Sequence, residues 1–377
     1  MNNTAVLVLE DGTVFPGERF GAAGQTLGEA VFCTAMTGYQ ETLTDPSYRR
    51  QIVVAAAPQI GNTGWNNEDS ESYRPDQTRD RIWVAGYAIR DLARKASNWR
   101  ADGGLEDELS SQGIVGIKGV DTRTVVRKLR NVGSMKAGIF SGGDLPAASE
   151  AVAIVREQPP MAGADLVGEV TTPQSYVVEP EGEARFSIAA LDLGIKTMTP
   201  RLFAQRGVRV HVVPASTSYA QIKQLGVSGL FASNGPGDPA TAVGVVETLR
   251  EALGDGLPFF GICLGNQLLG RAFGLSTYKM KFGHRGINIP VIEHATGRAI
   301  ITAQNHGFAL EGEAGQRFDT PFGEALVTHT CANDGTVEGV ALANGRAFSM
   351  QYHPEAAAGP HDAADHFDQF VGLLGAR

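Results

Sequence analysis

The stretch LPFFGICLGNQLLGRAFG, residues 257–274, decides how the second half of this chain folds. Leu257 to Ile262 form an apolar run of strand length, and Leu264 to Phe273 place Leu264, Leu268 and Leu269 on one helical face. Cys263 lies between them, flanked by Gly261 and Gly265, so the core of the stretch is the thiol counterpart of a G-x-S-x-G elbow. Small residues on both sides let the strand turn sharply into the helix, a turn expected to leave the sulfur exposed. The helix start offers unsatisfied N–H groups that favour a thiolate. Cys263 is therefore a candidate nucleophile. Against this stands the ordinary habit of free cysteines, which is to sit in the core as small hydrophobes.

Partners for the thiol occur elsewhere in the chain. In AFSMQYHPEAAAGPHD (347–362), His353 follows a second strand-like run, Ala347 to Tyr352, and Glu355 comes two residues later. An imidazole backed by a carboxylate supplies a base and a group that orients it, so Cys263, His353 and Glu355 form a candidate triad. A third segment, GLFASNGPGDP (229–239), breaks from an apolar run into glycines whose backbone can approach a substrate closely. The N–H groups of Leu264 and Gly237 are the candidate donors of an oxyanion hole, each worth on the order of 10²–10³ in turnover.

These motifs belong to a regular alternation. FSIAALDLG (186–194), VRVHVV (208–213), VSGLFAS (227–233) and LPFFGI (257–262) read as strands, with helical segments at 196–207 and 242–254. Strands alternating with helices predict a parallel sheet covered by helices, with ligands beyond the carboxyl ends of the strands. After Gly274 the spacing shortens into antiparallel pieces, such as 286–305 around an Ala295-Thr296-Gly297 turn. Near the N-terminus, residues 5–9 and 13–20 flank Asp11-Gly12 as a hairpin, and further apolar runs at 51–58, 81–89 and 113–120 mark a mixed α/β unit. The expected class is α/β, with an N-terminal domain over 1–150, a Pro-, Glu- and Gly-rich connector over 151–185, and a second domain over 186–377.

Composition narrows the function classes. A formal net charge of −9, from 32 basic and 41 acidic residues, argues against a nucleic-acid binder. The three cysteines, Cys33, Cys263 and Cys331, are odd in number and scattered, so neither a disulfide framework nor a metal knuckle is expected. No segment approaches the roughly 18 apolar residues of a membrane span, and the N-terminus lacks a signal-peptide pattern. A cytoplasmic location follows as the expectation.

SNGPGDP, GICLGNQLLG and HPE, in that order and at these separations, resemble the triad-type class I glutamine amidotransferases. MTGYQETLTDPSYRRQIV (36–53), APQIGNTGWN (57–66), GIKGVDTRTVVRKLR (116–130) and QNHGFAL (304–310) are further similar to the small-subunit family of carbamoyl phosphate synthetase, so the likeness spans essentially the whole chain. The resemblance implies a C-terminal class I glutamine amidotransferase domain that hydrolyses L-glutamine through a glutamyl thioester on Cys263. It implies delivery of ammonia to a large synthetase subunit that binds ATP, Mg2+ and bicarbonate and makes carbamoyl phosphate for arginine and pyrimidine synthesis. By the same resemblance the glutamine is surrounded by Ser47, Gly235, Gly237, Leu264, Gln267, Asn305, Gly307 and Phe308. His306, beside that shell, reads as a structural histidine. No cofactor or metal is expected in this chain, which has no G-x-x-x-x-G-K-[ST] phosphate loop.

Three positions depart from the family pattern: Asn266 and Ile289 stand where His is common, and Ala357 where Ser is usual. Other readings stay open, among them a glutaminase subunit of another synthase, a catalytically silent regulatory subunit, and a stand-alone cysteine peptidase.

Overall fold

The structure, a computed structural model, describes residues 3–72 and 81–375. Two compact units divide between Met161 and Ala162.

In the first unit, seven strands close a barrel in the order Thr4–Leu9, Val14–Gly21, Val115–Lys118, Gly86–Ala88, Gln51–Ala55, Gly24–Cys33 and Met135–Ser141. The hairpin expected at Asp11-Gly12 is present, with Val8 opposite Val14 and Thr4 opposite Glu18. Strand alternation sorts its residues. Ala5, Leu7 and Leu9 pack with Ile52, Val54, Ile117 and Ile139, whereas Val8 and Phe140 meet Ala151 and Val155 of the helix Ala148–Glu157. That helix runs across the expected boundary at residue 150 into the stretch expected to be a connector. Amphipathic spacing with Ala151 and Val155 on one face gives it a barrel surface to cover, so it belongs to the first unit.

From Ala162 onward the expected connector is also ordered, and that part belongs to the second unit. Tyr176–Val178 forms a strand that pairs antiparallel with Val208–Pro214 at the edge of the main sheet. From that edge the sheet continues through five parallel strands: Val208–Pro214, Phe186–Asp192, Gly229–Ala232, Phe259–Ile262 and Ala347–Met350. Beyond them an antiparallel extension runs through Val337–Leu342, Gly323–Cys331, Thr277–Glu293 and Ala299–Leu310. The last two strands flank the turn expected at residues 295–297, with Ile292 opposite Ala299.

Neighbouring residues of each buried strand serve opposite faces of this sheet. Leu230 and Phe259 pack with Leu249 of the helix Val243–Gly254 and Leu268 of the helix Leu264–Phe273. Phe231 and Phe260 pack on the other side with Phe203 and with Phe367 and Phe370 of the C-terminal helix Asp365–Leu374. Continuous apolar runs in the sequence follow from this two-sided burial. The Phe260 ring stacks on Phe348 at 4.6 Å and meets Phe367 edge-on at 5.9 Å. Among the described residues, no helix is long and apolar enough to cross a membrane.

Phe260 is fully buried between adjacent parallel strands. Phe260→Ala is expected to destabilise the second unit by about 3–5 kcal/mol, measured by urea unfolding followed by near-UV circular dichroism. A loss below about 1 kcal/mol would mean that the aromatic cluster contributes little to the stability of the sheet.

Candidate active site

Strand pairing brings the three sequence motifs to one end of the sheet. Phe259–Ile262 and Ala347–Met350 are adjacent and parallel, with Ile262 opposite Met350. The N–H of Cys263 extends the ladder by donating to the Met350 carbonyl at 2.8 Å. Cys263 and the segment Gln351 to Glu355 therefore leave neighbouring strands at the same edge. The SNGPGDP loop leaves the next strand, Gly229–Ala232, on the other side of the nucleophile strand.

At the bend itself Cys263 adopts φ 55° and ψ −103°; among the described residues outside glycine, only Arg50 also has a positive φ. Such a backbone costs on the order of 1–3 kcal/mol and persists where its surroundings hold it. Here they do so through the Cys263–Met350 bond and through Gly265, whose N–H donates to the Ser233 carbonyl at 3.1 Å. A Cβ on Gly265 would collide with the Ala232 carbonyl oxygen, so glycine is required for the helix to start this close to the neighbouring strand. The helix Leu264–Phe273 begins at the residue after the cysteine.

The exposed sulfur expected from the elbow is not what the fold produces. Cys263 keeps only 2% of its surface accessible. The reason is the antiparallel extension, which brings the Asn305 carbonyl oxygen to 3.6 Å from Sγ. Cover of this kind shields a reacting thiol from water.

His353 Nδ1 lies 2.6 Å from Glu355 Oε1, and both residues are 2% exposed. A carboxylate can only accept, so the proton of the neutral ring sits on Nδ1 and Nε2 carries the lone pair. Among the described residues Nε2 has no hydrogen-bond partner, which leaves it available to take a proton. The His353 N–H donates to the Ala303 carbonyl at 2.9 Å and fixes the ring's backbone.

Sequence reasoning missed one member of this arrangement, Lys196, whose Nζ is 3.7 Å from Glu355 Oε1. It follows the strand Phe186–Asp192 in a loop that the buried Asp192 organises by accepting from the N–H groups of Gly194 and Ile195. Its position beyond the carboxyl end of a parallel strand was the available signal. Burial on its own raises the Glu355 carboxyl, but the charges of His353 and Lys196 and the His353 hydrogen bond hold it below its ordinary value.

The glycine loop is pinned from two directions. Ser233 Oγ accepts from the Leu193 N–H at 2.9 Å, and Asn234 Nδ2 donates to the Gly194 carbonyl at 2.9 Å. Gly235 passes so near the Leu193 carbonyl oxygen that a Cβ there would overlap it. Past Gly237, the Asp238 N–H donates to the Ala164 carbonyl at 2.9 Å, so residues expected in the connector help to shape the loop. Leu264, the first residue of its helix, has an N–H with no intrahelical carbonyl to meet.

The family described as carbamoyl-phosphate synthase small chain, CPSase domain, matches residues 7–139, and glutamine amidotransferase class-I matches residues 189–373. The carbamoyl phosphate synthase small chain of Mycolicibacterium paratuberculosis is 69% identical over 374 residues, 99% of this chain and 99% of that protein. Its counterparts in Mycobacterium tuberculosis and Corynebacterium diphtheriae are 69% and 65% identical, covering 98% of this chain and 98% and 97% of themselves. This chain belongs to the carbamoyl phosphate synthase small-chain family.

Residues assigned to glutamine by resemblance are distributed over both units of this small chain. Gln267 is buried in its helix, not exposed, and its Nε2 donates to the Phe308 carbonyl at 2.8 Å and to Gln351 Oε1 at 3.0 Å. Asn305, Gly307 and Phe308 lie on the strand Ala299–Leu310. His306 between them has Nδ1 at 2.8 Å from the Phe308 carbonyl and Nε2 at 2.9 Å from Gln304 Oε1. Ser47 is in the first unit, buried in a tight turn where its N–H donates to Asp45 Oδ1 at 2.9 Å. Asn266, at the position where the family commonly has His, is satisfied by Gln351 Oε1 at 3.2 Å and Ser349 Oγ at 2.9 Å. Ile289 is half-buried opposite Thr302, and Ala357 is exposed.

A carboxyl held below its ordinary value contributes stability that is present above the unfolded-state pKa and is lost as pH falls through the folded-state pKa. Lys196→Met removes one of the charges that depress Glu355. The variant is expected to unfold at a higher pH than the parent in acid titrations followed by circular dichroism. An unchanged acid midpoint would show that Lys196 does not act on this carboxyl.

Proposed function

We propose that this chain hydrolyses L-glutamine to glutamate and ammonia, with Cys263 as nucleophile, His353 as proton carrier and Glu355 as the group that orients the ring. The observation that carries the reading is the His353–Glu355 pair at 2.6 Å, at the end of the strand beside the one that ends at the strained cysteine. In the first step His353 Nε2 takes the thiol proton and Sγ bonds to the side-chain amide carbon. The N–H groups of Leu264 and Gly237 receive the resulting oxyanion. Collapse breaks the carbon–nitrogen bond, and the imidazolium returns its proton to the leaving nitrogen, which departs as ammonia. Water then attacks the thioester while His353 takes its proton. Glutamate leaves, and the proton returns to the Cys263 thiolate.

Gly235, Gln267, Asn305, Gly307 and Phe308 of the second unit hold the amino-acid substrate in this proposal. Ammonia is useful to a synthase only if it reaches its acceptor unprotonated, so the chain acts with the large subunit of carbamoyl phosphate synthetase. That subunit holds ATP, Mg2+ and bicarbonate. The three cysteines, all unbridged and buried, suit a reducing cytoplasm.

Cys263→Ala in the assembled two-subunit enzyme is expected to lower glutamine-dependent carbamoyl phosphate formation by on the order of 10⁴-fold or more, with ammonium-dependent formation retained. Labelling of Cys263 by an electrophilic glutamine analogue, followed by peptide mass spectrometry, checks the nucleophile directly. Glutamine turnover that survives the substitution would overturn the assignment.

A further inference from the structure

The strand that carries Asn305, Gly307 and Phe308 also contributes Gln304 and His306 to a buried polar cluster that the proposed reaction leaves unused. His284 joins it from the strand Thr277–Glu293 and Glu338 from Val337–Leu342, and all four residues are at most 7% exposed. Gln304 Oε1 lies 3.0 Å from His284 Nδ1 and 2.9 Å from His306 Nε2. Glu338 Oε1 lies 3.3 Å from His284 Nδ1 and 3.9 Å from His306 Nε2.

The protons in this cluster can be counted. His284 Nε2 faces the Asp334 carboxylate at 2.9 Å, and His306 Nδ1 faces the Phe308 carbonyl at 2.8 Å. Both partners only accept, so both of these nitrogens carry hydrogen. The orientation of Gln304 is fixed by Thr302, whose hydroxyl proton goes to the Ile289 carbonyl at 2.8 Å. Thr302 Oγ1 is left to accept from Gln304 Nε2 at 3.1 Å, which turns the amide oxygen toward the rings. With neutral rings, the inner nitrogens of His284 and His306 then point lone pairs at oxygen acceptors. Filling those contacts with protons requires two imidazoliums with ring centroids 5.0 Å apart in the interior, a costly arrangement.

A cation at the centre satisfies every one of these lone pairs. Donors about 2.0–2.1 Å from a tetrahedral zinc are separated by about 3.3 Å, and the four separations given above span 2.9 to 3.9 Å. The outer hydrogen bonds are also those of metal-bound histidines, one to a carboxylate and one to a backbone carbonyl. We propose that His284 Nδ1, His306 Nε2, Gln304 Oε1 and the Glu338 carboxylate bind a divalent ion of the zinc class, with Asp334 and the Phe308 carbonyl orienting the two rings. The charges of Glu338 and Asp334 balance that of the ion. The half-exposed Asp334 connects the cluster to solvent. Such an ion links three strands at a point two residues from Phe308, whose carbonyl also accepts from Gln267. A consequence for glutamine KM rests on the function proposed above, whereas metal content does not.

The test is elemental analysis of the full-length chain purified without chelators, followed by zinc affinity from competition with a chromophoric chelator. One zinc per chain is expected. Affinity should fall by about 10–100-fold in Asp334→Asn, whose side chain is partly exposed and whose fold is therefore preserved. A larger fall is expected in Glu338→Gln, and if that variant fails to fold, the Asp334→Asn measurement decides. Three results overturn the proposal: no zinc uptake by the parent at micromolar concentration, which leaves the imidazolium pair; affinity unchanged in both variants; or affinity lost in Cys331→Ser and kept in Glu338→Gln, which moves the ion to other donors.

Discussion

The bond from the Cys263 N–H to the Met350 carbonyl, at 2.8 Å, is the contact on which the arrangement of the site depends. It continues the parallel pairing of Phe259–Ile262 with Ala347–Met350 one residue past the strand and holds the cysteine in a backbone conformation it would not adopt alone. A slip of one residue in that pairing would turn alternate side chains to the opposite face of the sheet. The slip is resisted by the side chains on both faces. Phe260 stacks on Phe348 on one side, and Phe259 packs among the leucines of the helices on the other.

Burial around the elbow explains why so many polar groups sit in the interior of the second unit. Polar side chains enclosed away from water need hydrogen-bond partners, and those partners need support of their own. Gln267 is held by the Phe308 carbonyl and Gln351, Gln351 by Asn266, and Asn266 by Ser349. The Asn266 amide, bonded on both sides, keeps the chain of bonds continuous. Each link is a neutral hydrogen bond, so the network orders these side chains without burying an unpaired charge.

Much of this was legible in the sequence. The helix over Leu264–Phe273 has the same bounds in the structure, because an elbow glycine before it and Gly274 after it mark both ends. The strands at 229–232 and 259–262 coincide with apolar runs because they are buried on two faces, whereas 208–214 alternates Val with the exposed Arg209 and the part-buried His211 and is legible from that period of two. The stretch 151–185 reads as a connector because it is rich in Pro, Glu and Gly and its apolar residues follow no regular period. Contacts made far away in sequence, such as Val155 with Phe140 and Ala164 with Asp238, are what order it. The burial of Cys263 was likewise hidden, because the strand that covers it lies some forty residues further on.

The chain's own residues determined the nucleophile elbow, the alternation that makes a helix-covered parallel sheet, and the order of the three motifs, because each depends on side-chain periodicity or on glycine within a few neighbours. Tertiary structure alone decided that Lys196 reaches Glu355 and that His284, Gln304, His306 and Glu338 meet around one point. Apart from Gln304 and His306, which share the strand Ala299–Leu310, those residues lie far apart in the sequence. Strand order and register bring them together, and both are set by packing of the whole sheet.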